Sequence, residues 1–287
     1  MGYKPYKGFE PKWIKEAAPA DSYRSIFRWG DPNHFKFPKE SLYNMVKDRI
    51  GVNDDYCKDY KLDTGLEKVD FKGKYAPKMA AEHVDFFKSV YGDDWSQSDY
   101  DRLSVAYGQT AYDLYRMREH KFDSLPDIVV YPSTSEQIEK TVDYCAKNKI
   151  PLYVYGGGSS VTRGVEPVNG GVSLDMRRKF TKVIAFNEVD QTITVQAGMS
   201  GPDLEKHLNN AVAEFGAKRA YTCGHFPQSF EYSSVGGWVV TRGSGQNSTY
   251  YGCISDMGIQ QNMLLREEEF LHLITHVRLQ VLTLTRS

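Results

Sequence analysis

Three consecutive glycines, Gly156-Gly157-Gly158, follow the strand-like run Pro151 to Tyr155 and lead into Ser159-Ser160-Val161-Thr162-Arg163-Gly164. No other stretch restricts the chain as strongly. Glycine tolerates positive φ and has no Cβ, so successive amides can turn inward around an anion. Ser159, Ser160 and Thr162 add hydroxyl donors. That donor set suits a pyrophosphate. The spacing is neither G-x-G-x-x-G nor a P-loop, because no Lys-Ser/Thr pair follows Gly164. A glycine triplet by itself is equally well a tight surface turn, so the flanking sequence has to decide.

Upstream, Ile128-Val129-Val130-Tyr131 is a short β-rich run ended by Pro132. Ser133-x-x-Glu136 has capping-box spacing, and Ile138, Val142, Cys145 and Ala146 then share one helical face. Pro151 to Tyr155 is the next strand, with Val154 and Tyr155 delivering the glycines. A parallel βαβ unit that presents a loop at a strand's C-terminal end is a usual ligand position. Downstream, Gly171 to Asp175 reads as a strand, Arg177-Arg178-Lys179 as a solvated basic turn, and Lys182–Asn187 with Thr192–Ala197 as a hairpin. Pro202 starts a helix along which Leu204, Leu208 and Val212 recur at spacing four. A second candidate loop runs from Cys223-Gly224-His225 through Gln228-Ser229-Phe230-Glu231-Tyr232-Ser233-Ser234 to Gly236-Gly237-Trp238, then Thr241-Arg242-Gly243-Ser244. Its small hydroxyl residues and paired glycines offer more backbone amides for a phosphate or a planar ring. Close packing under Trp238 would explain the glycine pair equally simply.

Residues 1–124 read as a polar, aromatic, partly helical wrap. Phe27 to Pro32 suggests a strand end and turn, Ser41 to Ile50 a helix stopped by Gly51, and Met79 to Tyr91 a helix stopped by Gly92. Asp99 to Glu119 is expected to be helical in part. His34, His83 and His120 are too scattered to make a catalytic group. Composition narrows the function classes. The 287 residues are 40% apolar and 25% charged with net charge −1, enough for a sizeable core and no general reason to bind nucleic acid. Twenty tyrosines suit half-buried faces where a ring packs and a hydroxyl finds a partner. Cys57, Cys145, Cys223 and Cys253 show no C-x-x-C spacing, so no metal site is expected and a reducing compartment is favoured. No secretory leader, myristoylation signal or membrane-spanning run is evident, which favours the cytoplasm.

Pro126-Asp127-Ile128-Val129, Gly156 to Ser160, Gln196-Ala197-Gly198 and the run Gly224 to Gly245 occur in this order. Together they resemble the FAD-binding domain of the vanillyl-alcohol oxidase / p-cresol methylhydroxylase superfamily, and within it the alkylglycerone-phosphate synthases. The resemblance covers roughly Phe27 to Met257. It implies an α+β fold of two α+β subdomains, the first about 125–186 and the second beginning about 187–257, with FAD clamped between them. Val154, Tyr155, Gly156, Gly157, Gly158, Ser159 and Ser160 would then hold the pyrophosphate. Gln228, Ser229, Phe230, Glu231, Tyr232, Ser233 and Ser234, with Thr241, Arg242, Gly243 and Ser244, would complete the cofactor contacts. His225, in the Gly-His-x-Pro motif, would act near flavin and substrate. Covalent members often carry a histidine in the first loop; none stands here, so dissociable FAD is expected. The implied reaction exchanges the acyl group of an acyl-dihydroxyacetone phosphate for a fatty alcohol, with no net electron transfer. The substrate is then a small lipid, and the resemblance allows peripheral membrane contact and a homodimer in full-length relatives. Two alternatives stay open: an FAD-linked oxidoreductase acting on a 2-hydroxy acid, and a non-catalytic flavin-binding fragment.

The chain departs from that pattern in three ways. The family's peroxisomal signal is not evident, the likeness stops before the substrate-binding cap, and residues 258–287 have no family counterpart in the frame as written. Back-translation suggests why. Joining the third base of each codon to the first two of the next lets Ile259 through Glu268 encode S-A-K-Y-V-T-P-R-G, and Ile274 through Arg286 encode Y-P-R-S-A-T-G-P-D-L-D-Q. Both strings resemble what the family shows after its Asp-Met segment. A frame-shifted tail beginning near codon 258 is therefore expected, with an incomplete second subdomain and an inactive chain as its consequences.

Overall fold

The computed structural model describes residues 40–51, 69–261, 264–266, 271–272 and 276–280. The turn expected at Phe27 to Pro32, His34 and Cys57 lie outside them. The chain divides into two compact units, residues 1–69 and 70–287. In the first, helix α1 (Glu40–Ile50) ends at Gly51, which sits at φ 76° and donates its N–H to the Lys47 carbonyl. Only a residue at ease in the left-handed region stops a helix this way without strain.

The second unit is built on two sheets. The first takes the order β1-β2-β4-β3, with β1 Trp95–Ser96, β2 Ile128–Val130, β3 Leu152–Tyr155 and β4 Val172–Asp175. Strands β2 and β3 both run parallel to β4, which lies between them. The expected strand–helix–strand unit therefore forms as a crossover that leaves room for one more strand. Every residue of β2 and β4 is buried, as strands covered on both faces must be. One face packs on α5 (Ser135–Lys147) and α2 (Ala81–Tyr91) through Ile138, Cys145, Val84 and Phe87. Phe86 stacks on Tyr144 at 3.5 Å between ring centroids, and the Tyr91 and Thr141 hydroxyls meet at 2.6 Å.

Helix α5 corrects one expectation. Its N-cap is Thr134, not Ser133, and the reciprocal partner is Gln137, not Glu136. Thr134 is the last extended residue, and starting the helix one position later turns Ile138, Thr141 and Cys145 inward together. The Gln137 carboxamide oxygen also accepts the Ser133 N–H at 2.8 Å. Between α2 and β2 the chain makes two short helices, α3 (Asp99–Ser104) and α4 (Ala111–Arg118), rather than one continuous helix.

The second sheet takes the order β5-β6-β10-β7, with β5 Val183–Asn187, β6 Thr192–Gln196, β7 Gly258–Gln261 and β10 His276–Gln280. Strands β5 and β6 form the expected antiparallel hairpin. Strand β5 starts four residues before the expected subdomain division at 187, and two of the four strands come from beyond Met257. A small antiparallel pair, β8 (Leu265–Arg266) and β9 (Leu271–His272), lies between β7 and β10 in sequence. Helix α6 (Gly201–Asn209) is capped by Ser200 and buries Leu204 and Leu208. Val212 does not continue that stripe: the chain breaks at Asn210, and the short α7 (Ala211–Phe215) buries Ala211 and exposes Val212. Ile193, Val195, Leu204, Leu208, Val235 and Trp238 share the second core.

Thr134→Ala should lower unfolding stability by about 1 kcal/mol, the usual worth of an N-cap hydroxyl. Ser133→Ala should cost clearly less. Chemical denaturation of the two variants distinguishes the caps, and an equal or larger loss for Ser133 would contradict this boundary.

Candidate functional site

The glycine triplet leaves β3 where that strand pairs with the end of β4. It runs directly against the second loop. A Cβ on Gly157 would overlap the Tyr232 carbonyl oxygen and lie 2.5 Å from Ser233 Cα, and one on Gly156 would overlap the Ser234 hydroxyl. Gly158, at φ 70°, leaves no space on the side of the Tyr155 hydroxyl. These glycines let two backbones touch. Among the described residues, none accepts a hydrogen bond from the amides of Gly157, Gly158, Ser159 or Ser160. Four neighbouring donors therefore stand beside the half-buried Ser159 and Ser160 and the exposed Thr162, a group of donors that an anion can use.

Tyr155 is buried and the Val154 side chain exposed. The Arg177 guanidinium lies 4.6 Å above the Tyr155 ring and is paired bidentately with Asp175 at 3.1 and 2.9 Å. Arg178 stacks on Tyr131 and pairs with Asp101, while Lys179 pairs with Asp94. The basic run is the exposed turn expected, and its side chains also clasp neighbouring carboxylates and rings. Asp175 is two residues from Arg177, but Asp94, Asp101, Tyr131 and Tyr155 are distant in the chain, so sequence alone did not show those contacts.

The second loop is pinned from behind. The Val235 and Gly236 N–H groups donate to the Met199 and Ala197 carbonyls at 2.8 Å each, and the Trp238 indole N–H donates to the Ser233 hydroxyl at 2.6 Å. The Ser233 hydroxyl donates in turn to the Ser229 carbonyl at 2.7 Å. Phe230 stacks near Trp238 at 6.3 Å. Ser234 caps α8 (Val235–Thr241), accepting the Gly237 N–H. Gln228 and Glu231 are exposed, Ser229, Phe230 and Tyr232 half-buried, and Ser233 and Ser234 buried. The Thr241 hydroxyl donates back to the Gly237 carbonyl of its own helix, and Arg242 ends that helix at φ 53°. Gly243 donates its N–H to the Trp238 carbonyl, and the exposed Ser244 hydroxyl meets Cys253 Sγ at 3.0 Å.

His225 stands at the base of this loop, 1% exposed, with its ring edge-on to Trp238 at 4.9 Å. Neither ring nitrogen has a hydrogen-bond partner among the described residues. A buried imidazole left so is costly unless a ligand or water serves it. Burial holds its pKa down to about 4, so the ring is neutral near pH 7. The preceding turn is tied by Glu205 of α6, whose carboxylate accepts the Cys223 N–H at 2.7 Å and the Thr222 hydroxyl at 2.9 Å. Burial pushes the Glu205 carboxyl up from its ordinary value, against those hydrogen bonds. No spacing signal in the sequence points to Glu205. Among the described residues no cluster of His, Cys, Asp or Glu could hold a metal ion.

The arrangement fits a dinucleotide: a glycine-lined cradle of donors, a hydroxyl-bearing second loop against it, and an unpaired buried imidazole nearby. Residues 126–273 match the family described as FAD binding domain. The chain is 32% identical over 233 residues to the alkyldihydroxyacetonephosphate synthase of Dictyostelium discoideum, a match covering 79% of this chain and 37% of that protein. It is 27% identical over 172 residues to a mitochondrial cytochrome-linked D-lactate dehydrogenase of Saccharomyces cerevisiae, covering 59% of this chain and 26% of that protein. A solved alkyldihydroxyacetonephosphate synthase superposes with a TM-score of 0.66 at 29% identity, covering 75% of this chain and 42% of that one. The chain thus spans well under half the length of these relatives.

The His225 shift sets a pH dependence. Between about pH 6.5 and about pH 4 the unfolded imidazole takes a proton that the folded one refuses. Stability is therefore unaffected by this group above that window and falls as pH drops through it, by about 3 kcal/mol at full extent. His225→Gln should flatten the acid limb of a plot of thermal midpoint against pH. An unchanged limb would mean the imidazole is not held neutral. Gly157→Ala should cost more stability than Gly92→Ala despite the positive φ of Gly92, because a Cβ at Gly92 meets nothing and one at Gly157 meets backbone.

Proposed function

From membership of the FAD-binding-domain family, to which this chain belongs, we propose that it holds FAD without a covalent bond and serves an alkyldihydroxyacetonephosphate synthase reaction. The observation that carries the proposal is the cradle of unpaired amides at Gly157 to Ser160, closed on one side by Tyr232 to Ser234. In this reading Val154 to Ser160 receive the pyrophosphate, and Gln228 to Ser234 with Thr241 to Ser244 complete the contacts. The first loop contains no histidine or cysteine to make a covalent link. When bound, FAD would supply an electrophilic ring system at which the acyl group of an acyl-dihydroxyacetone phosphate is exchanged for a fatty alcohol. The protein's part is to orient and to polarise. His225 suits that part as a neutral imidazole that can donate from one nitrogen and accept at the other. A second reading, oxidation of a 2-hydroxy acid, is favoured by the D-lactate dehydrogenase likeness.

We also propose that residues 258–287 are read from a shifted frame. What supports it is the pair of ordered strings, S-A-K-Y-V-T-P-R-G and Y-P-R-S-A-T-G-P-D-L-D-Q, that Ile259 to Glu268 and Ile274 to Arg286 can encode one base out of step. In the chain as written, the strand contributed by His276–Gln280 then replaces the family's own continuation. The sheet then ends at the exposed strand Gly258–Gln261, an edge open to pairing, and the surface that the family's continuation would cover stays open. Such a chain should bind FAD weakly, aggregate and lack synthase activity.

Both proposals share one set of experiments. DNA reads across the codons for Asp256 to Gln261 should show an insertion or deletion; an intact frame, with a soluble chain of 287 residues that turns over substrate, would overturn the shift. The frame-restored protein should bind FAD and exchange labelled fatty alcohol into acyl-dihydroxyacetone phosphate, without reducing an electron acceptor when given D-lactate. In that protein His225→Ala should cut turnover by about 10²–10⁴-fold, the usual worth of a proton-transferring or polarising side chain. Its flavin content should hold. Full turnover in the variant would return His225 to a packing role.

A further inference from the structure

Behind the glycine loop lies a buried ionic lattice with no part in the site described so far. Arg116 of α4 and Glu166 are 3% and 2% exposed at their side chains and bond at 2.7 Å. Arg116 also donates to Asp113 at 2.5 Å and to Asp123 at 2.6 Å, and its guanidinium lies 4.3 and 4.6 Å from the Tyr107 and Tyr112 rings. Glu166 accepts a second guanidinium, from Arg163 Nε at 2.6 Å and Nη2 at 3.0 Å. Arg163 is held at φ 65°, and its carbonyl accepts the Glu166 N–H. The loop's exit is thus closed into a turn and bolted through Glu166 to α4. A second bolt sits just before it. The Gln109 N–H donates to the Ser160 carbonyl at 2.8 Å, and a Cβ on Gly108 would overlap that same oxygen.

Two buried ions are expensive to desolvate, and such a pair contributes little net stability over an apolar replacement. A lattice meant to attract an anion would be positive. This one sets three carboxylates, Asp113, Asp123 and Glu166, against two guanidiniums, Arg116 and Arg163. Its sign opposes the ligand, so its use is geometric. We propose that Arg116 and Glu166 are positioning residues for the cofactor loop: by clamping Arg163 to Glu166 and both to α4, they hold Gly157 to Ser160 in one conformation for a pyrophosphate. The identity of that anion rests on the FAD reading.

The sign of one substitution separates positioning from charge. Glu166→Gln keeps the volume and removes a negative charge near the loop. Long-range electrostatics alone would tighten FAD binding. Loss of positioning should weaken it, by about tenfold for a lost charge-assisted bond. The test is FAD titration of the full chain, in its wild-type and Glu166→Gln forms, with hydrogen–deuterium exchange at a temperature where both are folded. Faster exchange confined to residues 157–163, with the β2 and β4 amides unchanged and FAD binding weakened, supports the proposal. Unchanged loop exchange, or tighter FAD binding, overturns it. Should Glu166→Gln fail to fold, Arg163→Gln takes its place, because Arg163 is 47% exposed and its loss leaves the Arg116–Glu166 pair intact. Because losing a cation weakens FAD binding by charge alone, loop exchange decides for this variant: faster exchange at residues 157–163 supports the proposal and unchanged exchange overturns it. If the wild-type chain binds too little FAD to titrate, as the shifted frame expects, loop exchange alone decides positioning: faster supports it, unchanged overturns it. The FAD reading falls only if the frame-restored protein also binds none.

Discussion

The contact on which the site depends is between two stretches of backbone. Gly157 lies against the Tyr232–Ser233 backbone with no side chain between them, and Gly156 lies against the Ser234 hydroxyl. Any Cβ at Gly157 would collide with a carbonyl held by its own packing, so neither side can give cheaply. The Tyr232–Ser234 segment cannot retreat because Trp238 holds Ser233 and the Val235 and Gly236 amides are bonded to Met199 and Ala197. The glycine loop cannot retreat because β3 is bonded to β4 and Ser160 to Gln109. Close approach concentrates the free amides of one loop beside the hydroxyls of the other. A phosphate-sized ligand needs that density of donors.

The two sheets are joined by the same device. A Cβ on Gly198 would strike the Met176 and Phe180 carbonyls, and its N–H donates to Phe180 at 2.9 Å. Two residues earlier, the Gln196 N–H donates to the Lys182 carbonyl at 2.9 Å, and its side-chain oxygen accepts the Lys182 N–H. Ala197 then receives Gly236 from the second loop. The Gln196-Ala197-Gly198 triplet therefore touches the end of the first sheet, the start of the second and the loop between His225 and α8. A change there would move several contacts at once, which is the physical content of its recurrence as a motif.

Much of the secondary structure was legible because it rests on local patterns. Alternation found the β5–β6 hairpin, the apolar face found α5, and Gly51 and Gly92 marked helix ends. Errors arose where neighbouring residues have nearly equal local chemistry. Ser133 and Thr134 are both good caps, and only burial of Thr141 chooses between them. Spacing four continues through Val212 on paper, but Asn210 breaks the helix and Ala211 turns inward. At the site, glycines and hydroxyls were legible as types. Their distant partners were not: Asp101 on Arg178, Glu205 under Cys223, and Arg116 on Glu166 are tertiary pairings without a spacing rule.

The role of residues 70–124 follows from the same reasoning. On composition they looked like a wrap. Arg102 is 1% exposed, and donates to the Pro126 carbonyl at 2.7 Å and the Tyr75 carbonyl at 2.5 Å. Tyr107 takes the Asp123 and Ser124 N–H groups on its hydroxyl, which donates to the Ser124 carbonyl at 2.6 Å. Arg116 reaches Glu166 from the same segment. Two of these bonds, Arg102 to the Pro126 carbonyl and Arg116 to Glu166, run from a buried side chain into the stretch that matches the FAD-binding domain. Removing the segment would leave the Pro126 carbonyl without the Arg102 donor and the buried Glu166 with Arg163 alone, at a cost of about 1–3 kcal/mol apiece. The family match begins at Pro126, where its motifs begin, although similarity to the Dictyostelium discoideum synthase spans 233 residues and so starts well upstream. The cooperative unit begins earlier, because the buried charges that close the first sheet and brace the glycine loop are supplied from Asp70 onward.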